Sequence, residues 1–220
     1  MPERDGVPLR LVDGLELDRE YRDVLRPGEL VKDRNGRLRR LPRFFYEVES
    51  WRQARAVRLA PHFVVAEFLD VDVREAEPLR RFPRYVPCAI TLLATHLEML
   101  RLAVGTFVFI SANGGYRSPA HRLLRYATPH CWGTGADLYR IGDTYLHDRE
   151  VIEKYSRLAA ETSPAFHTLP FGHGVGEVDD HVHLDLGFVV QVPQDAPSEA
   201  DAEQRQTQDE RPGGPGGGVE

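Results

Sequence analysis

The sequence predicts an α+β fold, a small antiparallel sheet covered by helices. Three observations lead there. The segment Val86 to Val104 spaces Ile90, Leu93, Leu97, Leu100 and Leu102 with a roughly helical period. Phe107 to Ser111 is a continuous apolar and aromatic run, and His181 to Val190 alternates before it turns apolar, so both read as strands. No strand–helix–strand repeat connects these pieces, which argues against a parallel sheet.

In chain order, residues 1–60 read as an Arg-rich N-terminal extension with thinly spread apolar side chains. Within it, Asn35-Gly36 in LVKDRNGRLRRL is a hairpin signal, and FFYEV (Phe44 to Val48) reads as a strand. Acids interleave the arginines, so a solvated strand face is expected there rather than contact with a polyanion. Residues 61–191 form the main domain. Its first helix stops at Gly105, a residue suited to the left-handed turn that ends helices, and His96 on that helix reads as structural. Ser118-Pro119 resembles a helix start, with serine as cap and proline at the first position, and that helix is expected to reach about Tyr126. Gly135 to Tyr139 reads as a short strand and Asp148 to Ala160 as a helix. Residues 192–220 have almost no large apolar side chains and are expected to form a disordered acidic tail rich in glycine and proline.

Bulk composition excludes several classes. With 220 residues, 41% hydrophobic and 28% charged, the chain fits a globular protein with one sizeable core. No apolar run approaches the roughly 18 residues of a membrane-spanning helix. The opening MPERDGVPLRLVDG lacks a basic segment followed by an apolar stretch, so no standard secretory signal is expected. That leaves location open. The tail holds seven acids against two arginines, so it carries most of the net charge of -6. The rest is near neutral, and charge gives no argument for nucleic acid or membrane partners. Two cysteines, Cys88 and Cys131, make neither a disulfide framework nor a multi-cysteine zinc site. They read as buried thiols.

The chemistry concentrates in histidines. Seven of the nine lie between His121 and His183. Zinc takes nitrogen, sulfur and carboxylate ligands, and its catalytic sites use three protein ligands. His130 sits in the turn-like TPHCWG. Asp137 follows in GTGADLY, where Gly133 and Gly135 let the chain curl so that both side chains converge. His183 lies on the last strand. Asp185, two residues on, shares its strand face and is placed to accept the second ring proton of His183.

These residues sit in ordered motifs: GYRSPAH (Gly115 to His121), HCWGTGAD (His130 to Asp137), GHGVG (Gly172 to Gly176) and DHVHLDLG (Asp180 to Gly187). From about Pro61 to Val190 the chain resembles the family of zinc D-alanyl-D-alanine carboxypeptidases and endolysin metallopeptidases. Its relatives include D-Ala-D-Ala dipeptidases, phage L-alanyl-D-glutamate endopeptidases and the zinc-binding hedgehog signalling domain. The family pattern S-x-H-x-x-G-x-A-x-D is met by Thr128, His130, Gly133 and Asp137, with Thr128 in place of serine and Gly135 in place of alanine. The resemblance implies a hedgehog-like fold and a Zn2+ held by His130, Asp137 and His183. It implies an oxyanion- and substrate-contacting role for Arg117, a substrate contact at Thr128, and Asp180 as the general base. His181 is the rival base. In an extended strand it points the same way as His183, as in lysostaphin-type endopeptidases, which also carry His-x-His. Asp179 is a remoter third. Those enzymes place the ligand aspartate four residues after the first histidine, whereas here the gap from His130 to Asp137 is seven. His121 reads as a neighbour of the site or a surface residue. His147, His167 and His173 read as structural, and Trp132 as either a cleft wall or a core residue.

The resemblance implies hydrolysis of D-amino-acid-containing peptide bonds in peptidoglycan stem peptides or their precursors. A zinc-stabilised, non-catalytic binding module of the same fold is the alternative, and a structural protein without metal is a third reading.

Overall fold

A computed structural model describes residues 9–173, 178–194 and 196. It is a mixed α and β protein built from small antiparallel sheets and four helices. The elements run β1 (Arg10–Asp13), α1 (Arg19–Leu25), β2 (Leu30–Lys32), β3 (Leu38–Arg40), β4 (Phe44–Glu47), α2 (Trp51–Ala56), β5 (Arg58–Ala60), β6 (Phe63–Val64) and β7 (Tyr85–Pro87). There follow α3 (Ile90–Val104), β8 (Val108–Ile110), β9 (Gly135–Ile141), β10 (Thr144–Tyr145), α4 (Arg149–Thr162), β11 (His167–Thr168) and β12 (Val182–Asp185). None of the described helices is long and apolar enough to cross a membrane.

β9 is the centre of the main sheet, pairing with β8, β10 and β12, while β11 lies on the far side of β12. Alternation along the strands sorts their side chains. Ala136, Leu138, Val182 and Leu184 enter the core with Leu93, Leu97 and Ile152 of α3 and α4. Asp137 and His183 point to the other face, and antiparallel register sets them directly opposite one another. On α3, Ile90, Leu93, Ala94, Leu97 and Leu100 are buried, each large side chain contributing about 1.5–3 kcal/mol of burial. Leu102, part of the predicted stripe, is 66% exposed. α3 ends at Gly105 (φ 68°), and α4 starts at Asp148, whose side chain accepts from the Val151 amide at 3.0 Å. His96 is structural, its Nδ1 2.8 Å from the Leu92 carbonyl.

Several expected elements differ. Ser118 to Tyr126 forms turns instead of a helix. The Arg122 amide, which a helix would direct to Ser118, bonds the Arg74 carbonyl, and the Ala127 amide bonds the Lys32 carbonyl. The Ser118 hydroxyl donates to the buried Glu75 at 2.6 Å. β8 is shorter than the apolar run, and Phe107 is exposed because it lies at the end of the sheet. β12 stops at Asp185, shortly before Gly187 (φ 73°), leaving Val189 and Val190 exposed.

The N-terminal segment is woven into the rest. β4 pairs with β1 on one side and β7 on the other. Leu25, Phe45, Val48, Ala54 and Val57 join the core that contains α3 and the main sheet, so buried packing crosses the boundary expected at residue 60. The Asn35-Gly36 turn closes the β2–β3 hairpin, with Gly36 at φ 74°. Asp33 organises it by accepting from the Asn35 and Arg37 amides at 2.9 Å. The hairpin covers Trp132, which is fully buried, donates to the Arg40 carbonyl at 2.9 Å and packs edge-on against Phe188. Trp132 is thus a core residue. The tail expected at residues 192–220 lies almost wholly outside the described residues, as does Gly176.

Candidate metal centre

Three elements bring the centre together. His130 sits in a 3-10 turn, Pro129–Trp132, that ends at Gly133 in the left-handed region (φ 68°). Asp137 lies on β9 and His183 on β12. Ligand atoms of these three buried residues fall within 4.8 Å of one another. Asp137 Oδ1 is 2.7 Å from His183 Nδ1 and 3.4 Å from His130 Nε2.

The remaining ring nitrogens are committed elsewhere. His130 Nδ1 lies 2.7 Å from the Gly115 carbonyl, which directs Nε2 inward. His183 Nε2 is 3.1 Å from Asp185 Oδ2, and the other Asp185 oxygen accepts from the Gly187 amide at 2.7 Å. Asp185 stands where the sequence put it, and it also faces the exposed His167 at 3.2 Å. Two imidazoles fixed from behind and one carboxylate, with ligand atoms close together, form a donor set that could hold a metal ion. Without an ion the group is an ion-pair cluster. Burial raises the proton affinity of Asp137, but His130, His183 and Arg117 outweigh it and hold the carboxyl well below its ordinary range. Burial lowers His183, yet its hydrogen bonds to the Asp137 and Asp185 carboxylates prevail and push it up to about 9. Burial and the nearby Arg117 lower His130.

The loop from Ser111 to Ser118 closes over the centre. The Ser111 amide bonds the Asp137 carbonyl, and the Asp137 amide bonds the Gly114 carbonyl, both at 2.8 Å. A Cβ on Gly115 would stand 2.4 Å from the Phe68 carbonyl oxygen, so only glycine permits this approach. Arg117 reaches the centre through the carboxylate: its Nη2 donates to Asp137 Oδ2 and its Nε to the Asn113 carbonyl. The expected substrate contact is therefore, in this structure, a partner of a candidate ligand.

The two candidate bases separate. Asp180 is 79% exposed and has no contact with the three ligands; its Oδ1 accepts from His181 Nδ1 at 2.7 Å. His181 turns its Nε2 to within 3.6 Å of Asp137 Oδ1. The strand begins only at Val182, so the preceding bend turns Asp180 outward and His181 inward. Thr128 precedes the His130 turn, and its side chain makes no capping bond. His121 is fully buried, which sequence periodicity did not reveal. His147 is exposed, and His173 meets Arg34 at the hairpin tip. Cys131, next to His130, and Cys88 are free and buried, with burial pushing their thiols up to about 11 and about 12. No family model, curated protein or solved structure matches this chain.

Proposed function

We propose that the protein is a zinc-dependent peptidase that hydrolyses D-amino-acid-containing peptide bonds of peptidoglycan stem peptides or their precursors. The reading is carried by one observation: His130 Nε2, Asp137 Oδ1 and His183 Nδ1 converge in a buried cluster, with His181 Nε2 at its edge. The ordered motifs that resemble the zinc carboxypeptidase and endolysin family support the substrate class. His130, Asp137 and His183 would hold the ion, which when bound would supply a Lewis acid able to polarise a scissile carbonyl and acidify water.

The chain's own groups do the rest. His181 removes a proton from the attacking water and returns it to the leaving amine. Asp180, bonded to His181 Nδ1, fixes the tautomer that leaves Nε2 free to accept. The loop from Ser111 to Ser118 and the buried ligand set keep bulk solvent from the reacting centre.

The competing reading is a metal-stabilised binding module, favoured by the outward position of Asp180, the acid that the family motif would make the base. Zinc-loaded protein incubated with defined muropeptides, with products read by mass spectrometry, separates the two. Released D-alanine or a cleaved stem peptide, absent in His130→Ala and in a His181→Ala variant that still holds zinc, supports the peptidase. Zinc retention with intact muropeptides supports the binding module and sinks the enzyme reading.

A further inference from the structure

Behind the candidate metal centre lies a buried polar chain that neither the peptidase reading nor the motifs account for. Asn113 is 4% exposed and holds a left-handed backbone (φ 60°), costly for a residue other than glycine unless its surroundings fix it. Three bonds do so. Its amide donates to the Asp70 carbonyl at 2.6 Å, its carbonyl accepts from Arg117 Nε at 2.6 Å, and its Oδ1 lies 2.9 Å from His121 Nε2. The His121 ring is wholly buried, and its Nδ1 accepts from the Leu123 amide at 3.2 Å. A neutral imidazole has one donor and one acceptor nitrogen, so the proton sits on Nε2 and His121 donates to Asn113. Ser118, the next residue in the chain, is held by the buried Glu75, which accepts from its amide and hydroxyl at 3.1 and 2.6 Å. Arg117 is held at Nε by the Asn113 carbonyl, and its Nη2 meets Asp137 Oδ2 while Asp137 Oδ1 faces the two ligand imidazoles.

We infer that Arg117 is a positioning residue for the metal ligand Asp137 rather than a substrate contact, and that His121, through Asn113, sets where its guanidinium lies. The inference rests on the metal-centre reading above. With Oδ2 held by a planar cation, Asp137 is left with Oδ1, the oxygen that faces both candidate-ligand imidazoles, to offer to an ion. A lysine could not serve, because the task needs two donors in fixed relation, one for Asn113 and one for Asp137.

The test is zinc affinity, measured by competition with a chromophoric chelator. Unsubstituted protein that takes up no zinc refutes the metal reading itself, before any variant is made. If it binds zinc, Arg117→Met and His121→Met should each weaken binding by roughly 10- to 100-fold, the range for losing a ligand's outer partner. His121→Gln, whose amide can donate to Asn113 Oδ1, should return affinity close to the unsubstituted value. Asn113→Gly suits the left-handed backbone and removes the side chain whose oxygen accepts from His121, so it should weaken zinc as His121→Met does. Unaltered zinc affinity in Arg117→Met, with KM for a cleaved muropeptide raised at saturating zinc, would make Arg117 a substrate contact and overturn the inference. Equal losses in His121→Gln and His121→Met would reduce His121 to a packing role. Should His121→Met fail to fold, Asn113→Gly decides alone: zinc affinity equal to that of the unsubstituted protein overturns the role given to His121.

Discussion

Gly115 shows how tightly the centre is closed. Its missing side chain lets the loop pass within contact of the Phe68 backbone, and its carbonyl then fixes the ring of His130. Backbone cannot retreat as a side-chain tip can, so Gly115→Ala is expected to destabilise the fold by about 1–3 kcal/mol, as overpacking typically does. Denaturant titration with and without zinc checks this, and an unchanged midpoint would contradict the close approach. At this scale much was legible in the sequence. Alternation along β12 already put His183 and Asp185 on one face, and the glycines around His130 signalled a chain that curls. The proposed base was not legible. Whether Asp180 or His181 turns inward depends on the residue at which a strand begins, and no local pattern specifies that to within one position. The engagement of Arg117 by Asp137 was equally hidden, since it goes with a bond from Arg117 to the Asn113 carbonyl that arises only in the folded loop.

Among the elements, the β2–β3 hairpin links the N-terminal segment to the surroundings of the candidate centre. It touches three segments that bear candidate ligands or their neighbours: the Ala127 amide bonds Lys32, Trp132 bonds Arg40, and Phe188 lies 4.5 Å under the Arg39 guanidinium. Trp132 is its anchor. Trp132→Ala should cost about 3–5 kcal/mol, the usual loss for a buried large aromatic side chain. In hydrogen exchange, the hairpin amides should lose protection more than those of α3. Uniform protection changes would count against the hairpin as a separable clamp. Turn and cap chemistry made this element and α4 readable in advance, because Asn35-Gly36 and Asp148 act on their immediate neighbours. The predicted helix at Ser118-Pro119 failed for the converse reason. Its cap serine and the Arg122 amide are claimed by Glu75 and Arg74, which are distant in sequence.

At the scale of the molecule, one core ties both halves of the chain together. A chain shortened to begin at His62 would lose β4, the strand that pairs with β7, and with it Phe45, Val48 and Val57 from the core cluster that includes Leu93 and Leu97. Such a chain is expected to be insoluble or molten. A sharp thermal transition, with near-ultraviolet dichroism matching the full chain, would show residues 62–191 to be independent after all. Period and composition could not show this shared core, since both are properties of single segments. The pairing of His183 with Asp137 has a consequence in time as well as in space. These partners are 46 residues apart, and His183 lies on the last strand of the main sheet. His183 is the last of the three candidate ligands to leave a ribosome, so the site is complete only once β12 has joined β9. An ion taken up there would fasten the final strand to the elements that carry the other two ligands, a latch rather than a seed.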